Sequence, residues 1–252
     1  MSNPQRKTIV FFRGNIDDEI EAHDAGFDAV NVPVLQTRLT GQTELYAALT
    51  DKTLLFDSIV ATSKRAIEAL AVVWETIDED IKATWRLRPF YVVGPSSNEF
   101  LLQLGLQPFG FESGNAEALA NYIIAEGKSS NLLFLRGDKT LNTLVSRLND
   151  AERDIKVESV IVYKTLPIAL PQLYATLCDV YARFHVSWFT FFSPSGVKIV
   201  VEDTDEDHWN GVKVACIGKT TKAALIDSNI IPSAVAESPN AKSLLAAIIN
   251  AE

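Results

Sequence analysis

Among 252 residues the chain has only two cysteines, three histidines and one methionine. Cys178 and Cys216 are too few for a disulfide framework or a zinc cluster. Both lie in apolar settings, so both are expected to be buried thiols. His23, His185 and His208 have no spacing that would make a metal site or a catalytic triad, and they read as surface or packing residues. No apolar run reaches the roughly 18 residues needed to cross a bilayer. The opening MSNPQRKTIVFF passes straight into a strand-like run with no signal-peptide core, so a soluble, cytoplasmic protein is expected. A basic surplus is missing too: the formal net charge is −9, which argues against a nucleic-acid binder. Neither GxGxxG at a strand end, nor a Walker-type GxxxxGKS or GxxxxGKT, nor a GxSxG elbow occurs. Any catalysis here must come from hydroxyls, amides and a few cations that hold and shape a substrate.

What the chain does contain is one local pattern, four times over. VSWFTFFSPSGVKIVV at 186–201 is a β-branched and aromatic run, a Ser-Pro-Ser-Gly break and then an apolar pattern suited to a helix. Ser193 is placed to cap that helix, and Pro194 is tolerated in its first turn. The same grammar recurs in SIVATSKRAIEAL (58–70), PFYVVGPSSNEFLLQL (89–104) and VKVACIGKTTKAALI (212–226). A strand entering a helix through such a turn aims unbonded N–H groups above the sheet, which favours anions. Taken singly, each is an ordinary capped connection. Four of them suggest a hydroxyl-lined, anion-friendly cleft.

Strands alternating with helical stripes imply parallel sheets with helices on both faces. Predicted stripes include Ile67, Leu70, Ala71 and Trp74; Ala116, Leu119, Ala120 and Ile123; Leu141, Leu144, Val145 and Leu148; and Leu244, Leu245, Ile248 and Ile249. A further helix is predicted at 173–181, after an extended, proline-marked stretch at 164–171. The acidic stretch 202–207 reads as a solvated loop. A permuted internal repeat is also visible, since TIVFFRG at 8–14 resembles NLLFLRG at 131–137. The expected fold is therefore α/β, with two similar parallel-sheet domains, one inserted in the other. Domain one would comprise 1–34 plus 169–252 and domain two 35–168. Extended crossings near 33–37 and 163–168 would join them as a two-stranded linker. Ligands of open α/β sheets bind beyond the carboxyl ends of the strands, so the cleft is expected where the two sets of ends meet.

Several blocks carry a family resemblance. FFSPSGV at 191–197, ACIGKTTKAAL at 215–225 and AESP opening 236–248 occur in order, preceded by TSKRAIEA at 62–69, YVVG at 91–94, GNAEALANYI at 114–123 and VYKT at 162–165. Together they resemble the uroporphyrinogen-III synthase family over nearly the whole chain. That resemblance implies two α/β domains on a two-stranded linker, and a lyase that needs no metal or cofactor. Its substrate is hydroxymethylbilane, which loses its hydroxyl while ring D is inverted through a spiro intermediate as the macrocycle closes. It also implies residue roles. Tyr163 would give a hydrogen bond or proton to the departing hydroxyl, as phenols do near neutrality. Thr221 and Thr220 would bind carboxylates at a helix start, with Ser193 and Ser195 on the adjacent turn and Ser63 and Ser97 from the other domain. Arg65, Lys213 and Arg13 are candidate charge partners. Lys219 departs from the pattern, standing where the family often has proline.

Two rival readings stand beside it. One is a non-catalytic two-domain module that closes on a small anion, although such receptors are usually exported. The other is a transferase using a phosphorylated cofactor, for which the phosphate-loop signature is missing. A monomer without nucleic-acid or membrane partners is expected.

Overall fold

The alternation of apolar runs and helical stripes resolves into two open sheets. The computed structural model describes residues 6–14, 16–51, 53–204 and 209–252. The chain begins with β1 (Thr8–Phe11), α1 (Ile16–Asp24) and β2 (Asp28–Asn31), then crosses through β3 (Leu35–Leu39). There follow α2 (Gln42–Thr50), β4 (Ser58–Ala61), α3 (Lys64–Trp74), α4 (Glu79–Arg86), β5 (Phe90–Val92) and α5 (Pro95–Gln103). Next come β6 (Pro108–Phe109), α6 (Ala116–Glu126), β7 (Asn131–Gly137), α7 (Thr143–Asn149) and the long β8 (Lys156–Pro167). The chain ends with α8 (Leu170–Arg183), β9 (Val186–Phe191), α9 (Pro194–Asp203), β10 (Lys213–Cys216), α10 (Lys219–Asp227), β11 (Ala234–Val235) and α11 (Ala241–Asn250).

Two compact units result: Met1–Gln36 with Leu166–Glu252, and Thr37–Thr165. The first holds the sheet ordered β11-β10-β9-β1-β2, and the second sheet is ordered β3-β8-β7-β4-β5-β6. The pairs β1·β2, β1·β9, β9·β10, β10·β11, β4·β5, β4·β7, β5·β6 and β7·β8 are all parallel. The crossing strands differ. Ile168 N–H donates to Val34 O at 3.0 Å and Thr40 N–H to Val162 O at 2.9 Å. Residue numbers rise along one strand while they fall along the other, so β3 and β8 run antiparallel.

Helices cover both faces of each sheet. In the second unit, Leu133 and Leu135 of β7 face the core shared with α3 and α5, whereas Leu132 and Phe134 face α6 and α7. A strand buried on both sides reads as a continuous apolar run, and β7 does. In the first unit, Leu173, Leu177, Val197, Val200 and Leu225 cover one face, and Ala22, Leu244, Leu245 and Ile248 the other. Each large side chain fully buried in this way contributes roughly 1.5–3 kcal/mol. Among the described residues, four helices begin on capping side chains: Ser63, Asn115, Ser193 and Asn240 each accept a first-turn N–H. Such a cap stabilises its helix by about 1 kcal/mol.

The structure corrects the sequence reading in several places. Helix α8 starts at Leu170 and takes in Pro171, which its first turn accommodates without losing a hydrogen bond. Leu173, Leu177 and Val180 form its buried stripe, which leaves Cys178 on the outer side. Only Cys216 is a buried thiol, and burial pushes its pKa up. Leu141 precedes α7 and is exposed, and Ile249 points outward from α11. Glu202 lies within α9, and residues 205–208, including His208, fall outside the described residues. Among the described residues no helix is long and apolar enough to cross a membrane.

Candidate active site

Strand register decides which turns share an edge. In the second unit, Ala61 pairs with Val92 on one side and with Leu135 on the other. Two residues further on, Ser63, Gly94 and Gly137 therefore stand in a row at the carboxyl edge, with neighbouring strands about 4.8 Å apart. The next strand supplies Tyr163, which pairs with Gly137. Ser63 caps α3, its Oγ accepting the Arg65 N–H at 3.3 Å, and the Arg65 side chain is exposed in that first turn. At the β5 turn the sequence reading needs adjusting. Ser97 is third in α5, where the helix faces the core, and is 2% exposed. The exposed hydroxyl residue there is Ser96.

Tyr163 is half-buried against the core of its unit. A register shift places it: Arg136 pairs with Ile161, but Gly137 pairs with Tyr163, so Val162 is the extra residue of a bulge. Bulges re-aim a side chain at a sheet rim. The ring lies directly over Gly137, where an added Cβ would come within 2.5 Å of Tyr163 Cε2 and Cζ. The sequence reading passed over Gly137. The available signal was a glycine closing a buried strand, which often marks a close approach.

The first unit builds a comparable edge. Thr190 pairs with Phe11 and with Ala215, and the ladder continues through Phe12 N–H to Thr190 O and Ile217 N–H to Phe191 O, both 3.0 Å. Arg13, the Ser193 turn and the Gly218 turn thus share one rim. The Arg13 guanidinium carbon stands 3.8 Å from the centroid of the Phe192 ring, one residue before Ser193. Ser193 Oγ accepts the Gly196 N–H at 3.1 Å and shares a hydrogen bond with Ser195 Oγ at 3.0 Å. Thr220 is exposed at the start of α10, whereas Thr221 is 1% exposed. The exposed hydroxyl at this turn is therefore that of Thr220, and the first-turn amides of α10 add the positive end of the helix dipole.

Lys213 is not at this rim. It opens β10 at the opposite end of the strand, three residues before Cys216. Its Nζ donates to Ala251 O at 2.8 Å, stands 3.6 Å from Glu252 Oε1 and lies 5.2 Å from the Trp188 ring centroid. Of the two candidate charge partners Lys213 and Arg13, Arg13 is the one the fold brings to the Ser193 turn. No group of three His, Cys, Asp or Glu among the described residues could hold a metal ion. A hollow of about 580 Å³ lined by Phe109, Phe111, Tyr122 and others lies along β6 and α6 and includes none of these rim residues, so it adds nothing to the site.

Comparison with known proteins fits this arrangement. The sequence model of the family described as uroporphyrinogen-III synthase HemD matches residues 5–246. The chain is 29% identical to the uroporphyrinogen-III synthase of Saccharomyces cerevisiae, over 91% of this chain and 90% of that one. It is 28% identical to that of Schizosaccharomyces pombe, over 92% and 91%. Its fold resembles the crystal structure of uroporphyrinogen-III synthetase from Helicobacter pylori, with a TM-score of 0.57 at 16% identity, covering 98% of this chain and all of that one. With two α/β units each built on a mainly parallel sheet and a match running almost from end to end, the chain belongs to the uroporphyrinogen-III synthase family.

Proposed function

We propose that the chain acts as a uroporphyrinogen-III synthase, closing hydroxymethylbilane to uroporphyrinogen III with loss of water and inversion of ring D. The family match over residues 5–246 carries this reading. The rims support it chemically. The substrate bears eight carboxylates, and the turns offer hydroxyls, orphan amides and arginines but few carboxylates. Ser63, Ser193, Ser195 and Thr220 serve as hydrogen-bond donors. The first turns of α3, α9 and α10 add roughly 0.3–1 kcal/mol each toward an anion. Arg13 and Arg65 supply positive charge that guanidinium geometry matches to carboxylates.

The chemical task is selectivity. Unassisted closure gives the symmetrical type I isomer, and each tenfold of preference for type III requires about 1.4 kcal/mol of differential barrier. Restraint of a flexible chain plus a few aimed hydrogen bonds supply energies of that order. Tyr163 donates a hydrogen bond to the leaving hydroxyl, or its phenolic proton as the C–O bond breaks, in which case the hydroxyl departs as water. Thr221 acts through its backbone amide, because its side chain is buried. The chain works as a monomer of 27.7 kDa in the cytoplasm, which light scattering and fractionation check.

The decisive experiment supplies freshly generated hydroxymethylbilane, oxidises the product and resolves the isomers by chromatography. Type III product is expected; type I alone, at the enzyme-free rate, overturns the reading. Tyr163→Phe should lower kcat by about a hundredfold, the lower range for a positioned proton donor. Unchanged turnover removes Tyr163 from the mechanism.

A further inference from the structure

We propose that loop 136–140 is a clamp that positions the Tyr163 ring, with Gly137 as its floor. The inference rests on the role given to Tyr163 above and extends it to residues that touch no substrate. Three observations carry it. First, the bulge at Val162 places Tyr163 opposite Gly137, and the ring lies flush on a residue with no side chain. A Cβ there would meet Cε2 and Cζ at 2.5 Å and the phenol oxygen at 2.8 Å. Ordinary carbon contacts lie at about 3.5–4.0 Å, so any side chain at 137 displaces the ring by about 1 Å.

Second, the residue after Gly137 grips the backbone on both sides of Lys164. The Asp138 N–H donates to Tyr163 O at 3.1 Å, and Asp138 Oδ1 accepts the Thr165 N–H at 3.0 Å. Third, the loop is itself tied. Thr140 Oγ1 accepts the Gly137 N–H at 3.0 Å, and the Thr140 N–H donates to Gly137 O at 3.2 Å. Arg136 closes the far side, donating to Thr140 O at 2.5 Å and to Asn142 Oδ1 at 2.9 Å. The strand end, the turn and the tyrosine thus form one hydrogen-bonded unit. Gly137, Asp138 and Thr140 are positioning residues.

A misplacement of 1 Å can cost a reaction about a hundredfold. Steady-state kinetics on the full chain test the clamp. Gly137→Ala should lower kcat ten- to a hundredfold with KM changed less than about threefold, the estimate following from that displacement. Once Tyr163→Ala removes the ring, adding Gly137→Ala should change kcat by less than about twofold, because the partner it disturbs is gone. Full effects multiplying in the double variant overturn the clamp, as does a folded Gly137→Ala protein with wild-type kcat beside an impaired Tyr163→Phe. If Tyr163→Phe itself retains full turnover, the reading beneath the proposal has failed and the clamp falls with it. Should Gly137→Ala not fold, Thr140→Val decides instead. Its kcat should fall several-fold and Thr140→Ser should restore it; a Thr140→Val enzyme with unaltered kcat overturns the clamp.

Discussion

Two strand ends spelled almost alike, FFRG in the first unit and FLRG in the second, put their arginines to different uses. Arg13 lies over the Phe192 ring beside the Ser193 turn. Arg136 turns back onto its own loop, holding Thr140 O and Asn142 Oδ1. The glycines diverge in parallel. A Cβ at Gly14 would come no nearer than 3.3 Å to Pro33, whereas one at Gly137 would strike the Tyr163 ring at 2.5 Å. A repeat in sequence thus sets equivalent places in the fold without setting equivalent duties. One copy presents a cation, and the other organises a tyrosine.

The widest separation between the two should come from removing each arginine in turn. Arg136→Ala removes charge-assisted hydrogen bonds to a carbonyl and an amide, so the fold should lose about 1–3 kcal/mol. Denaturant unfolding measures that loss. Turnover should fall as well, since the loop over which Tyr163 lies is loosened. Arg13→Ala should leave stability within about 1 kcal/mol, the scale of a cation–π contact. Its effect should appear in KM, raised about five- to tenfold by losing a charge partner for a carboxylate. If Arg13→Ala is the variant that unfolds, or Arg136→Ala the one that raises KM alone, the contrast between the copies is broken.

How far the letters could carry this contrast depends on what each feature needs. Caps were legible because a cap is local: Ser193 before Pro194 does what such a residue does beside an apolar stripe. Helix α4 was not, because EDIKATWR turns only Ile81 and Trp85 toward the core, too few apolar positions to announce a helix by themselves. Ile249 and Leu141 were misassigned for a related reason: an apolar residue one step beside a stripe looks like part of it until the helix's start and neighbours are known. The inward turn of Ser97 and Thr221 follows from the third helical position facing the core, which composition does not reveal. A glycine closing a buried strand signals a close approach at 137, but that Tyr163 makes it was out of reach, since a bulge is a property of two paired strands and leaves no period in either one.

The two units can also be compared at the amino ends of their sheets, and there they agree. Each ties a buried aromatic of an inner strand to one carboxylate. Trp188 Nε1 donates to Glu252 Oε1 at 2.7 Å, and Tyr91 Oη donates to Glu126 Oε2 at 2.8 Å while sharing a hydrogen bond with Ser129 Oγ at 3.1 Å. Burial by itself raises the Glu126 pKa, but the hydrogen bonds from Lys128 and Tyr91 outweigh it and hold the carboxyl below the usual carboxylate range. Burial pushes the Tyr91 phenol far upward, so it remains a donor. A carboxyl whose pKa is lower folded than unfolded adds stability above the unfolded value, near 4.3. That stability is lost as pH falls through the folded value. Wild type should therefore lose more stability than Glu126→Gln between about pH 5 and pH 3, by roughly 1 kcal/mol, the worth of an ordinary hydrogen bond. Parallel melting curves for the two proteins across that interval would remove Glu126 as the acid-sensitive tie of its unit.

The smallest effect should come from Lys213, and it tests whether the amino ends stand apart from the chemistry. Its side chain is 42% exposed, and its partners are the Ala251 carbonyl, Glu252 and the Trp188 ring. A half-exposed ion pair of this kind is worth under about 1 kcal/mol and weakens as salt screens it. Lys213→Ala should lower the unfolding free energy by no more than that, by less still in high salt, and leave both kcat and KM for hydroxymethylbilane where they were. The reasoning is geometric: from Lys213 to Cys216 the strand advances three residues, about 10 Å, before the chain reaches the turn that holds Thr220. A lysine so placed, with its nitrogen already engaged by the chain's last residues, has no path to a carboxylate held above the opposite edge. A several-fold rise in KM on its removal would mean that substrate reaches the floor of the sheet as well as its rim, and the division of each unit into a working edge and a structural one would have to be given up.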